Sequence, residues 1–301
     1  MPRYEKWLHA ATPDAPSDEI ARSALAERLL AVAHYLKKAI GGKDEAEAVH
    51  QLRVWTRRAG AALDLFEPGV PKKAGKRMEK TLHKLRRAAG DVRDCDVLKD
   101  RVQAMDQEFP KAQRSLKKCR RRAGQRLEHL RRKNRKGDRF NLEIEQLLRR
   151  ITWPKRRSSR EAPPFATLCR RQLAPLATDF FRHTRLDLSN FKNLHQMRIA
   201  GKRLRYALEL AATVMLPRVH RQLYEALNEL QERAGEICDQ RAFLQSVQEW
   251  LDDAEKKKMR ERLTALRSRE ERRYEAAHRK FLKWWSPPRR QKLVSLWKKA
   301  F

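Results

Sequence analysis

His50-Gln51-Leu52-Arg53 recurs 145 residues later as His195-Gln196-Met197-Arg198. The same offset pairs Arg58 with Arg203, Leu63 with Leu208, Gly90 with Gly235 and Asp94 with Asp239. Between residues 50–94 and 195–239, twelve positions are identical without a gap. A register held that long constrains the chain to two copies of one unit. Residue usage then sets the type of unit. Leu, Ala, Arg, Lys, Glu and Gln dominate, all strong helix formers, and there are only 10 glycines in 301 residues, so each copy is expected to be all-α.

Apolar spacing and turn residues place the helices. Ser17 reads as the N-cap of a first helix closed by Gly41-Gly42. Helices follow at about 44–66, 71–89, from 91–94 onward, 111–136 and 138–151. In this reading Gly90 ends one helix and Asp94 caps the next. A Pro- and Ser-containing linker, residues 152–164, separates the copies. The second copy repeats the plan with helices at about 165–183, 193–214, 218–234, 239–251 and 253–285, with Gly235 and Asp239 again read as end and cap. The expected organisation is therefore an N-terminal helical bundle over 17–151, a C-terminal bundle over 165–285, and a basic aromatic tail over 286–301. Trp284, Trp285 and Trp297 are read as capping the end of a bundle. Short turns between helices favour antiparallel packing.

Projected on a helix, Ala48, Val49, Leu52, Trp55, Ala59, Ala62, Leu63 and Phe66 gather on one side. His50, Arg53 and Arg57 fall opposite. The second copy sets Met197, Ala200, Leu204, Ala207 and Leu208 against His195, Arg198, Lys202, Arg205 and Tyr206. Cations one turn apart repel by a few tenths of a kcal/mol per pair, which a bound polyanion would offset. Arginine offers a planar fork for phosphate oxygens and lysine a mobile point charge. Histidine adds a compact donor whose protonation rises beside phosphate. A merely solvated face is the alternative; two ladders in one register favour an anion site. Arg58 and Arg203 lie between the faces, suited equally to phosphate or to an acidic partner. Arg93, a cation at the expected turn beside a helix N-terminus, is also suited to an anion, with Cys238 at its counterpart.

Charge agrees with that reading. Lys plus Arg number 71 against 38 Asp plus Glu, a formal +33. Such an excess is far beyond what solubility asks for and points to a polyanionic partner. No apolar run reaches the roughly 20 residues of a membrane span, and the N-terminus lacks a signal-peptide core. The four cysteines (Cys95, Cys119, Cys169, Cys238) are dispersed, without zinc-site or disulfide spacing, which suits the cytoplasm. No P-loop, G-x-S-x-G or H-E-x-x-H motif is present. No catalytic residue, metal ligand or cofactor is expected.

The segments VHQLRVWTRRAGAALDLF (49–66), LRRAAGDVRDCDVL (85–98), LHQMRIAGKRLRYALEL (194–210) and LQERAGEICDQ (230–240) resemble the CHAD family, the conserved-histidine α-helical domain. The resemblance spans about residues 18–285. It implies two pseudo-symmetric four-helix bundles with a basic cavity between them, non-catalytic binding of inorganic polyphosphate, and association with polyphosphate granules. The ligand positions it implies are His50, Arg53, Arg57, His195, Arg198, Lys202 and Arg205, supported by Arg58, Arg93 and Arg203. Gly60 departs from the family pattern, standing where a basic residue is common. Triphosphate-tunnel domains often accompany this family, but Glu143-Ile144-Glu145-Gln146-Leu147 has Leu where their motif has Lys. A nucleic-acid-binding helical protein using the basic stretches 111–136 and 255–283 is the competing reading.

Overall fold

The computed structural model describes residues 4–8, 11–41, 44–105, 109–153 and 162–300. Gly42, read as part of a helix terminator, and residues 154–161 of the linker lie outside the described residues. Ten α-helices make up the described fold: α1 (Ser17–Lys38), α2 (Glu45–Leu65), α3 (Lys72–Gln103), α4 (Pro110–Arg135), α5 (Arg139–Arg149), α6 (Phe165–Thr184), α7 (Phe191–Leu210), α8 (Pro217–Asp252), α9 (Lys257–Trp284) and α10 (Pro287–Lys298). No strand occurs among the described residues; the single isolated bridge joins Pro16 and Pro164. The fold is all-α.

The chain divides into two compact units. The first comprises residues 1–172 and 209–214, the second 173–208 and 215–301. These limits differ from the linker-based halves because the start of α6 packs with the first copy. Phe165 is fully buried and its ring stacks on Phe66 at 6.0 Å between centroids. The backbone N–H groups of Phe165 and Ala166 donate to Ala15 O and Pro13 O at 3.0 and 2.9 Å.

In the first unit α1 packs on α2, α2 on α3, and α3 on α4, while α5 lies against α1. The eight apolar residues projected onto one side of residues 48–66 are all buried, from Ala48 at 5% exposed to Phe66 at 0%. Removing such a stripe from water stabilises by about 1.5–3 kcal/mol per large side chain, far more than propensity supplies. Arg120 of α4 ties three helices together, pairing with Asp96 of α3 at 2.7 Å and with Glu45 of α2. In the second unit α9 and α10 both pack on α8.

Three sequence expectations are corrected. Gly90 does not end a helix: α3 runs through it to Gln103, and α8 runs likewise through Gly235 to Asp252. The reason is the buried stripe, which continues on both sides: Leu85, Ala89 and Val92 around Gly90, Leu230, Ala234 and Ile237 around Gly235. Burial outweighs the roughly 1 kcal/mol a mid-helix glycine costs. Asp94 and Asp239 therefore sit inside helices and cap nothing. Ser17 is not a cap either; Pro16 holds that position, and the Ser17 hydroxyl donates instead to Pro163 O at 2.5 Å. The basic aromatic tail forms a helix over Pro287–Lys298, with its start set by Ser286 and the proline pair. Trp285 is buried at its junction, and Trp284 Nε1 donates to Glu229 at 2.9 Å, so the indoles close the end of the α8–α10 packing.

Candidate functional site

In the first unit the site is built by α2 and α3 together. The apolar stripe of α2 fixes its rotation, which turns His50, Arg53 and Arg57 away from the core. His50 is exposed, and Arg53 and Arg57 are half-buried. From α3, Arg93 and Arg86 join them. Partial desolvation holds the His50 imidazole below its ordinary value; Arg93, Arg53 and Arg57 add to the fall and Glu47 opposes it. Desolvation also lowers Arg53, with Arg57 and Arg93 adding to it and Asp94 resisting. Arg86 is lowered by desolvation and by Arg57. Five bases thus crowd one patch. Among the described residues Arg53 pairs with Asp94 at 3.3 Å, and that carboxylate is 70% exposed, a geometry worth little in water.

The second unit builds its counterpart from α7 and α8, with more side-chain contacts. His195, Arg198, Lys202 and Arg205 are all half-buried. Desolvation lowers the His195 imidazole, and Arg198 and Lys202 lower it further. Its ring stacks on Phe191 at 6.0 Å, and its Nδ1 lies 3.8 Å from Cys238 Sγ. The Arg198 guanidinium lies over the backbone of α8 at Gly235: a Cβ there would stand 3.2 Å from Arg198 Nη2. The repeated glycine serves this close approach, not a turn. Arg198 Nε and Gln231 Oε1 are buried with no hydrogen-bond partner among the described residues. Arg205 Nη1 donates to Tyr224 Oη at 2.9 Å, and its guanidinium stacks over Tyr206 at 4.4 Å. Tyr206 is 6% exposed. It is thus not part of the open polar face; its ring serves as the platform under Arg205.

Two of the remaining expected cations, Arg58 and Arg203, point elsewhere. Arg58 Nε donates to Glu209 at 2.7 Å, with Glu209 1% exposed, and its guanidinium lies 4.7 Å over Trp55. Of its two readings, phosphate or an acidic partner, the geometry is the second. Arg28 is fully buried in the same cluster. Burial lowers it to about 10, Glu27 and Glu209 oppose the fall, and Arg58 adds to it. Arg203 is exposed on the side of Asp179, whose carboxyl it helps Arg182 and His183 hold below the ordinary range. Arg93 joins the first patch, as above.

Arg86 and Arg241 were missed by sequence reasoning. Arg86 stands seven residues before Arg93, on the same side of a helix. Splitting that helix at Gly90 concealed the pair. Arg241 lies 5.5 Å over the Phe191 ring that stacks on His195. It brings a cation one turn beyond Cys238, where Arg93 has no basic counterpart. Other histidines are structural: His220 and His278 are buried, each with Nε2 on a backbone oxygen, Leu208 O at 2.9 Å and Leu188 O at 2.8 Å.

Chemically, both patches offer guanidinium forks and an imidazole, and the second adds the Lys202 ammonium, a donor set for oxyanions. Among the described residues no group of three or more His, Cys, Asp or Glu could hold a metal ion, and no helix is long and apolar enough to cross a membrane. A family model described as the CHAD domain matches residues 23–243, well over half of the chain. Among solved structures, the CHAD domain from the plant Ricinus communis is similar with a TM-score of 0.63 at 20% identity, covering 99% of this chain and 98% of that one. PptA from Streptomyces chartreusis is similar with a TM-score of 0.59 at 17% identity, covering 90% of this chain and 99% of that one. Among curated proteins none matches.

Proposed function

The chain belongs to the CHAD domain family, and from that premise we propose that it binds inorganic polyphosphate, without catalysis, through the two histidine-led faces. The ligand positions are His50, Arg53, Arg57 and Arg93 on the first face, joined by Arg86, and His195, Arg198, Lys202 and Arg205 on the second. The observation that carries this reading is the gathering of cations beside His50 and beside His195, whose imidazoles are lowered first by burial and then by those cations. Like charges held together and partly desolvated are a cost that a bound polyanion relieves. The unpartnered Arg198 Nε supports it further, since a buried donor is expensive until an acceptor arrives. That the two faces line one basic cavity, and that the protein resides in the cytoplasm at polyphosphate granules, belong to this proposal and rest on the family resemblance.

Binding of long-chain polyphosphate and of duplex DNA at one moderate salt concentration tests it. Tighter binding of polyphosphate, weakened in Arg53→Ala and Arg198→Ala, is expected. Equal binding of DNA, with polyphosphate affinity unchanged in both variants, would leave the nucleic-acid reading in its place. Salt dependence alone does not decide, because both polyanions release counterions. Sustained phosphate release from tripolyphosphate with a divalent metal would overturn the non-catalytic part.

A further inference from the structure

The most basic helix, α4, takes no part in either face. Between it and α3 lies a groove of about 660 Å³. Lys84 and Arg87 of α3 form one wall and Arg122, Arg126 and His129 of α4 the other, all of them exposed. Asp91 is the acid of the lining; it pairs with Arg126 at 3.3 Å. Lys84, Arg87 and Arg122 have no ion pair among the described residues. Residues 84, 87 and 91 repeat at helical spacing on one side of the buried α3 stripe, whereas Arg86, Gly90 and Arg93 lie on its other side. One helix therefore carries two separate cationic faces.

The groove also indicates its ligand. Two cationic walls facing each other suit a chain of phosphates lying between them. Proteins that hold single-stranded nucleic acid add aromatic platforms for the bases. Here the lining contains no phenylalanine, tyrosine or tryptophan; its remaining residues are Ala88, Gln125 and Leu130. A polyanion without bases fits better.

We propose that the α3–α4 groove is a second polyphosphate site, apart from the His50 face, so that the first unit engages two stretches of polyphosphate at once. The proposal takes its ligand from the function proposed above, but its residues are different.

Lysine acetylation footprinting of the intact protein with long-chain polyphosphate separates the two. Lys84 reports the groove and Lys202 the second histidine-led face. The expected result is at least fivefold slower acetylation of Lys84 with polyphosphate present. That protection persists in Arg53→Ala/Arg198→Ala and is lost in Arg87→Ala/Arg122→Ala, whose exposed side chains leave the circular dichroism unchanged. Equal modification of Lys84 with and without polyphosphate overturns the groove. So does protection that survives Arg87→Ala/Arg122→Ala, or stronger protection by single-stranded DNA at matched phosphate. Protection of Lys84 without protection of Lys202 would uphold the groove and count against the face.

Discussion

The two histidine-led faces descend from one sequence pattern, yet the second is far more tied down than the first. On α2, Arg53 pairs with a solvent-exposed carboxylate, and the space above Gly90 holds no neighbouring atom among the described residues. On α7, Arg198 lies against Gly235, Arg205 is held between two tyrosines, and His195 stacks on Phe191. The repeated Arg58 and Arg203 diverge in the opposite sense: the first is locked to a buried carboxylate and the second is exposed. Equal letters at equal register have been assigned unequal duties. A side chain already held in place loses less freedom when a ligand arrives, so under the proposed function the second face would be the better prepared of the two.

Substitutions at paired positions can break that comparison. The largest effect is expected at Arg58. Arg58→Ala breaks the ion pair to the buried Glu209 and should cost about 3–5 kcal/mol, whereas Arg203→Ala should stay within about 0.5 kcal/mol. Denaturant unfolding of the two variants checks this, and equal losses would erase the distinction. Next come the ladders. Arg198→Ala should weaken polyphosphate binding about tenfold, in line with the roughly 1.5–3 kcal/mol of a charge-assisted hydrogen bond. Arg53→Ala should weaken it less. Titrations at fixed ionic strength compare them, and a larger loss at Arg53 would reverse the ranking.

The glycines sharpen the same contrast. Gly90→Ala should raise stability by about 0.5–1 kcal/mol, because helical glycine is costly and the site is open. Gly235→Ala meets Arg198, so it should forfeit that gain and weaken polyphosphate binding too. Melting curves with and without ligand separate the cases; parallel behaviour of the two variants would refute the role given to Gly235.

The smallest effect concerns pH. Both His50 and His195 are held below the ordinary histidine value of about 6.5, so both are neutral at pH 7 in the free protein. A bound anion raises them, and affinity must therefore climb as pH falls through the bound-state value. It levels off below the free-state value. A few-fold tightening below about pH 6.5 is expected, lost in His50→Gln/His195→Gln. Stability of the free protein runs the other way. A depressed imidazole favours the neutral folded form, and that contribution disappears as pH falls through the folded-state value. An affinity that is flat from about pH 8 to about pH 5, on both sides of the ordinary histidine value, would remove the imidazoles from the site.

Much of this was readable in the sequence because burial on a helix obeys a simple period. Every apolar residue assigned to the inner sides of α2 and α7 is buried, and that rotation places the ladders. Glycine misleads where periodicity does not: Gly90 and Gly235 read locally as stops, although the buried stripe runs on past them. That error hid Arg86, whose link to Arg93 exists only on an unbroken helix. Contacts between residues distant in the chain had no local signal at all. Nothing near Arg58 announces Glu209, and nothing near Phe191 announces Arg241. The pairing of Cys95 with Cys119, whose sulfurs lie 2.8 Å apart across α3 and α4, was equally invisible from their spacing.

Glu209 carries one more consequence. It is numbered within the second copy but packs with the first unit, along with the rest of residues 209–214 and the start of α6. A polypeptide cut at the linker would leave the buried Arg28 and the half-buried Arg58 without the Glu209 carboxylate that faces them. Expressing residues 1–152 alone should thus yield a chain that aggregates or unfolds, while the intact protein is sound. The gene bears the scar of a doubling, but its product can no longer be returned to halves with scissors placed at the seam.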